Sequence, residues 1–353
     1  MIPALAIALV ACQPHDTGDT ADTAPRTQDT VETGAPLEPS WEGERSGEGF
    51  GTALTWADDA LWIGAPHGVP GRVYVLEAGT LTVQLEGSGD DLLGFSLLTT
   101  SDDALRIGRP WANERAGEIW DAAGEVVLAG SGAGARLGGQ LAASQTTTVG
   151  TTATGWSSQK GAFDSAARIP SAIATVTDAP VLGFAWGDTA LQTEERAWAR
   201  GDDTQSELGF SLASGDWNGD GTEDLAVGAP GLNRVVLLFG ASESWPETLS
   251  EALTVEVESE RFGHALAAAP GDGADELWVG APHSDNGLGS VWRLSSPIEP
   301  STTPDTEQVF VGAVTAGGFG ARLALSPTQV AVAATGQGDS AGSVSRFQRP
   351  EAR

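Results

Sequence analysis

Residues 208–240 read LGFSLASGDWNGDGTEDLAVGAPGLNRVVLLFG. The stretch opens on a short strand-like run, LGFSLAS, and closes on VVLLF, with LAVGAP between them. Pro230 ends that middle run, because proline cannot donate to a sheet ladder. The order is strand, loop, strand, turn, strand. Between the first two strands lie Asp216, Asn218, Asp220 and Asp224, oxygen side chains at positions 1, 3, 5 and 9 of one loop, with Gly221 at position 6. Alternate side chains of a tight loop converge, Gly221 permits the sharp bend, and the carbonyl of Thr222 can add an oxygen. Such a set suits a hard cation, and calcium is its natural occupant.

An EF-hand loop opens in the same way, but it needs a bidentate Glu at position 12, where this chain has Val227, and helices on both sides, where it has β-rich runs. The arrangement instead resembles the FG-GAP repeat of integrin α-chain β-propellers, in which such a loop joins the first two strands of a blade. The resemblance implies calcium held by Asp216, Asn218, Asp220, Thr222 and Asp224.

Relatives of this unit run through the chain. Motif glycines are expected at Gly51, Gly94, Gly138, Gly183, Gly209, Gly263 and Gly320, at a mean spacing of about 45 residues, the length of a four-stranded propeller blade. The second strand and its turn recur as LWIGAP (61–66), LRIGRP (105–110), LAVGAP (225–230) and LWVGAP (277–282), and decay to VAVAAT (330–335). The expected fold is all-β, a seven-bladed β-propeller, with six blades and an irregular insert as the alternative count. The alternative arises because the step from Gly183 to Gly209 is short and the third unit lacks its Gly-Ala-Pro. After GSVSRF no fourth strand remains for the last blade, so the segment around 37–47 is expected to close the ring and remove the open edges.

The chain has 353 residues, and three segments are expected. Residues 1–12 read as a secretory signal whose Leu9-Val10-Ala11-Cys12 resembles a bacterial lipobox, with Cys12 as the lipidation site. Residues 13–36 read as an acidic, Asp/Thr-rich disordered tether, and residues 37–353 as the propeller. Cys12 is the only cysteine, which excludes an internal disulfide and a Cys-based metal site. Eighteen Lys and Arg against 48 Asp and Glu give a net charge of −30. That surface repels phosphate backbones and anionic headgroups, so no nucleic-acid partner is expected and membrane contact only through a lipid anchor.

A decayed second metal loop is placed at 268–276, AAPGDGADE, which keeps Asp272 and Glu276. Asp58, Asp59, Asp102 and Asp103 suit tight turns better than ligation. His67 and His283 follow Gly-Ala-Pro in two equivalent loops and read as turn residues; His264, beside a motif glycine, reads as a pore or core histidine. Of the 12 tryptophans, Trp62, Trp278 and Trp292 fall where blades pack, whereas Trp111, Trp156 and Trp245 lie in expected loops, where packing under the loops is the favoured reading and stacking on sugars or anchoring a protein the alternative. No nucleophile triad, H-E-x-x-H or phosphate loop occurs. The expected function is non-enzymatic: a calcium-stabilised binding or adhesion scaffold at the bacterial cell envelope, at the outer membrane or cell surface, presenting loops to a protein or glycan. Two alternatives stand beside it, a polysaccharide hydrolase or lyase with carboxylates converging at one mouth, and a structural envelope subunit.

Overall fold

In the computed structural model the described residues are 36, 40–144, 147–159, 162–164, 170–177, 179–186, 188–199, 204–240, 249, 252–313, 317–336 and 341–351. They form seven four-stranded antiparallel sheets, each with its strands in sequence order from first to fourth except the last. Blade one comprises Ala53–Ala57, Ala60–Ala65, Arg72–Glu77 and Thr80–Glu86; blade two Ser96–Thr99, Leu105–Arg109, Glu118–Trp120 and Val126–Ala129. Blade three comprises Leu141–Ser144, Thr147–Thr151, Gly155–Ser158 and Ala162–Asp164; blade four Ala172–Val176, Ala179–Gly183, Thr189–Gln192 and Ala197–Ala199. Blade five holds Leu212–Gly215, Asp224–Ala229, Arg234–Leu238 and Leu253–Glu256; blade six Ala265–Ala269, Glu276–Ala281, Ser290–Leu294 and Thr306–Val311. Blade seven takes Phe319–Leu325, Gln329–Ala334 and Ser343–Gln348, and receives Trp41–Glu42 as its fourth strand.

That last pairing sets Trp41 opposite Val344 and Glu42 opposite Ser343, as the missing fourth strand requires. First strands of successive blades touch in order, and that of blade seven returns to blade one, so the ring is closed. Burial follows the layering. The second strands of blades five and six are buried at every position, whereas the fourth strand of blade one is mostly exposed. A strand covered on both faces carries a continuous apolar run rather than an alternating one, which is why Leu-Ala-Val-Gly-Ala and Leu-Trp-Val-Gly-Ala recur. The apolar clusters lie between neighbours: one joins Val235 and Leu237 of blade five to Leu277 and Val279 of blade six, and another joins Ala331 and Val344 of blade seven to Leu61 and Tyr74 of blade one.

Blades three and four are regular, which settles the count at seven and corrects one motif glycine. Gly183 does not open a blade. It ends the second strand of blade four, opposite Ala172, as Gly64 stands opposite Ala53 in blade one. The opening position, two residues before that pair, is occupied by the buried Pro170. Gly183-Phe184 imitates the Gly-Phe of a first strand, which explains the misleadingly short step to Gly209.

The two repeated glycines have one joint purpose. A Cβ on Gly228, in the second strand of blade five, would stand 2.1 Å from the carbonyl oxygen of Gly263, which opens blade six with a φ of +89°. The first glycine makes room for the second's carbonyl, and the second adopts a backbone that other residues resist. The same approach joins Gly64 to Gly94, Gly108 to Gly138, Gly183 to Gly209 and Gly280 to Gly320. At the closing seam the glycine is replaced, and Gly51 faces the methyl of Ala333.

Candidate functional site

The oxygen-rich loop connects the first and second strands of blade five. Asp216 turns the chain by accepting hydrogen bonds from its own loop: Oδ1 from the amides of Gly219 (2.7 Å) and Asp220 (3.1 Å), Oδ2 from that of Gly221 (2.8 Å). Asn218 Oδ1 accepts from the Asp220 amide, and Asp220 Oδ1 accepts from the Thr222 amide. Asp224, fully buried, accepts from the amides of Trp217 (2.9 Å) and Gly240 (2.7 Å). Burial pushes its carboxyl up to about 6; those two amides oppose the shift, and the negative charges of Asp220 and Asp216 add to it. The carboxyl of Asp220 is exposed and held low, chiefly by the Asn218 side-chain amide.

Among the described residues no three His, Cys, Asp or Glu side chains stand in a ready-made metal cluster. The donor chemistry nevertheless fits a hard cation. All the side-chain donors are oxygens, three are acids whose mutual repulsion is felt at Asp224, and Asp216 Oδ2 and both oxygens of Asp224 accept one amide each and keep a second lone pair, whereas Asp216 Oδ1 accepts two. The decayed loop of blade six is differently furnished. Asp272 is exposed, and Glu276 is buried with Oε2 committed to Arg349 and to Trp278 Nε1, each at 2.9 Å, while Oε1 lies 3.8 Å from the guanidinium of Arg293. Arg349 also donates to the carbonyl of Pro270, so a guanidinium occupies the middle of this loop.

The other end of the blades carries a cavity of about 1040 Å³ around the central axis, with residues of all seven blades in its wall. Two repeat positions build it. One directly follows the motif glycine and supplies Phe95, Phe210 and His264; the other lies three residues after the second-strand glycine and supplies His67, Trp111 and Trp186. Trp186 is 55% exposed. It escapes sequence reading because it follows the misassigned Gly183, and only its equivalence to His67 and Trp111 marks it. Among the described residues no Asp or Glu lines this cavity. The described carboxylates therefore place no glycoside-hydrolase pair at this mouth.

His264 packs against Phe210 with ring centroids 4.7 Å apart. Burial first, then the charges of Arg322, Arg261 and His283, push its imidazole down to about 3. The unfolded chain takes up a proton below about pH 6.5 that the folded protein refuses until about pH 3, so stability is present above 6.5 and lost as pH falls through that window. Between pH 6.5 and 4.5 the loss from this group is roughly 2 kcal/mol. The difference in urea midpoint between wild type and His264→Gln should therefore change across that range; a constant difference would refute the assignment.

The other singled-out residues fall as follows. Asp58 and Asp59 make the two-residue turn between the first strands of blade one, and Asp102 and Asp103 the corresponding turn of blade two. Trp62, Trp278 and Trp292 pack between blades. Trp156 is not a loop residue but lies in the third strand of blade three, 7% exposed and inside the core shared with blade four. His283 flanks a short turn after the second strand of blade six. Trp245, Cys12, the signal segment and nearly all of the tether lie outside the described residues. Among the described residues no helix is long and apolar enough to cross a membrane.

Comparison with known proteins agrees with this geometry. The family model for the FG-GAP repeat matches residues 208–240, which are blade five with its opening turn and oxygen-rich loop, up to the end of its third strand. Integrin alpha-PS2 of Drosophila melanogaster is 33% identical over 129 residues, a match that covers 33% of this chain and 9% of the integrin. Virginiamycin B lyase from Staphylococcus aureus superposes with a TM-score of 0.63 at 14% identity, covering 87% of this chain and 98% of the lyase. A chain of the Mitotic Checkpoint Complex superposes at 0.62 and 14% identity, covering 92% and 99%. At that identity the two structures share the fold alone. Residues 208–240 therefore match the FG-GAP repeat, a third of the chain is similar to an integrin α-chain, and the described residues fold as a seven-bladed β-propeller.

Proposed function

We propose that this protein is a non-enzymatic binding scaffold, stabilised by calcium at Asp216, Asn218, Asp220, Thr222 and Asp224, that presents one face of its propeller to a protein or glycan. The observation that carries the reading is the mouth around the central axis, where aromatic rings from equivalent positions of different blades face a cavity that no carboxylate among the described residues lines. Aromatic rings give contact area at low conformational cost, and they are the residues on which binding energy concentrates. The calcium loop sits at the opposite end of the blades, so its part is to hold blade five and leave the binding mouth to other residues. Calcium supplies positive charge to a loop whose three carboxylates otherwise repel. Leu9-Val10-Ala11-Cys12 supports export and a lipid anchor on Cys12, which would hold the propeller at a bacterial cell envelope, on the outer membrane or cell surface.

Calorimetric titration of the full chain with calcium is expected to give saturable binding at about one equivalent, accompanied by a higher melting temperature. Asp220→Ala, at an exposed side chain, should weaken that binding about tenfold or more and abolish the thermal shift. Binding itself is tested by incubating the calcium-loaded protein with a panel of envelope polysaccharides and surface proteins. Retention of one of them intact supports the scaffold, whereas its cleavage would overturn the non-enzymatic reading.

A further inference from the structure

The cavity around the axis is electrostatically unlike the rest of the molecule. The chain carries 48 acids and 18 basic residues, yet among the described residues the cavity wall holds two arginines, Arg136 and Arg322, and no acid. Neither arginine has an ion-pair partner among the described residues, whereas the buried Arg109 and Arg293 are each held between two carboxylates.

Arg322 also breaks the repeat. It pairs with Ala333 at the register where the other blades have Ala53, Ser96, Gln140, Ala172, Ser211 and Ala265. Small or neutral side chains suffice to pack that position, so nothing in the propeller itself calls for a guanidinium there. Its Nε donates to the carbonyl of Thr52 at 3.1 Å and one terminal nitrogen to that of Ala321 at 2.7 Å. Those bonds fix the side chain across the closing seam and leave the other terminal nitrogen unassigned. The guanidinium's own pKa is lowered by burial alone. A cation desolvated without a counter-ion is costly to keep, and an arriving anion recovers part of that cost.

The remaining wall mixes apolar and aromatic side chains with uncharged polar ones, Gln140, Thr151, Thr152, Ser171 and Ser211. His264, neutral at physiological pH, lies against Phe210, while Trp111 and the exposed Trp186 stand at the rim. We propose that this mouth is a binding site for a small organic anion, a carboxylate on an aromatic or apolar body. Arg322 and Arg136 receive the charge, and the rings of Trp111 and Trp186 cover the body. The site is the specificity element of the scaffold reading above and rests on it. The net charge of −30 discourages non-specific anion binding over the molecule as a whole, which favours entry where described acids are absent.

Isothermal titration of the full chain with 2-naphthoate, neutral 2-naphthalenemethanol and cationic 2-naphthylmethylamine tests the proposal. The expected result is saturable naphthoate binding at about one equivalent, about tenfold or more tighter than the alcohol, with the amine weakest. Arg322→Gln should remove that preference and leave the alcohol unchanged. If loss of the Thr52 bond keeps this variant from folding, Arg136→Gln replaces it, and about a threefold or greater loss of naphthoate affinity is expected. Trp186→Ala should weaken naphthoate and alcohol alike. Equal affinity for naphthoate and alcohol, no naphthoate binding at millimolar concentration, or an unchanged preference in the arginine variants would overturn it. Asp220→Ala, at the opposite end of the blades, separates the two readings. It should leave naphthoate binding intact; a calcium response without naphthoate binding removes this site and keeps the scaffold, and an intact polysaccharide or protein retained by Arg322→Gln does the same.

Discussion

Arg109→Met is expected to destabilise the propeller by roughly 3–5 kcal/mol. Arg109 stands where blades one, five and six have an alanine, and it turns Gly-Ala-Pro into Gly-Arg-Pro. Its guanidinium is 6% exposed, bonds Asp91 at 2.5 Å and Glu118 at 2.9 Å, and lies 3.7 Å from the centre of the Trp120 ring, whose Nε1 also donates to Glu118. Asn113 donates to the same carboxylate. Both acids are nearly fully buried, so methionine would fill the space yet strand two negative charges. That is the costly way to break a buried ion triad, whereas removing charge on both sides costs less. Urea unfolding should show a large fall for Arg109→Met and partial recovery in Arg109→Met/Glu118→Gln. Equal midpoints for wild type and Arg109→Met would mean that the triad contributes nothing.

The second large effect is expected at a blade seam. Gly228→Ala should cost roughly 3 kcal/mol, because its new methyl would stand 2.1 Å from both the Gly263 carbonyl oxygen and Ser211 Oγ. Ser211 can turn away, although it then gives up its bond to the same Gly263 carbonyl. The carbonyl belongs to a backbone at positive φ and cannot turn without reshaping the start of blade six. Gly132, whose added methyl would meet open space, is the control, and Gly132→Ala should stay within about 0.5 kcal/mol of wild type. If Gly228→Ala melts with wild type, the interlocked glycines are not what spaces the blades.

These two sites also mark what was legible in the sequence. The interlock repeats at regular spacing, so LWIGAP, LAVGAP and LWVGAP reveal second strands and the count of blades, and the missing fourth strand after GSVSRF reveals the closure. Reading failed where one residue type imitates another. Gly183-Phe184 looks like the opening of a blade because Pro170 occupies the place where the motif glycine would have stood. Trp156 looked like a loop residue because blade three has lost its Gly-Ala-Pro.

The loop at 216–224 was legible for a different reason: its donors are close in sequence, and local spacing is all a loop needs. Glu276 shows the limit. Its arginines come from the third strand of blade six and from Arg349, beyond the last strand of blade seven. Only the folded ring brings Arg349 to it. The same holds for the cavity, whose Arg322, Arg136 and Trp186 lie in separate blades. Each is unremarkable alone, and the meaning lies in their meeting with no acid among the described residues of the wall.

The pairing of Trp41–Glu42 with Ser343 and Val344 has a bearing on biosynthesis. A ribosome delivers Val344 about 300 residues after Trp41, so while the blades between them are being made the partner edge of that small strand does not exist. Blades one to six can assemble as they emerge, but only as an open arc whose first and last members present unpaired faces. The ring becomes continuous in a single late event. A nascent chain stalled before Ser343 should therefore be far easier to cut by protease than one stalled a few residues later, and the protection gained should extend to blade one as well as to blade seven.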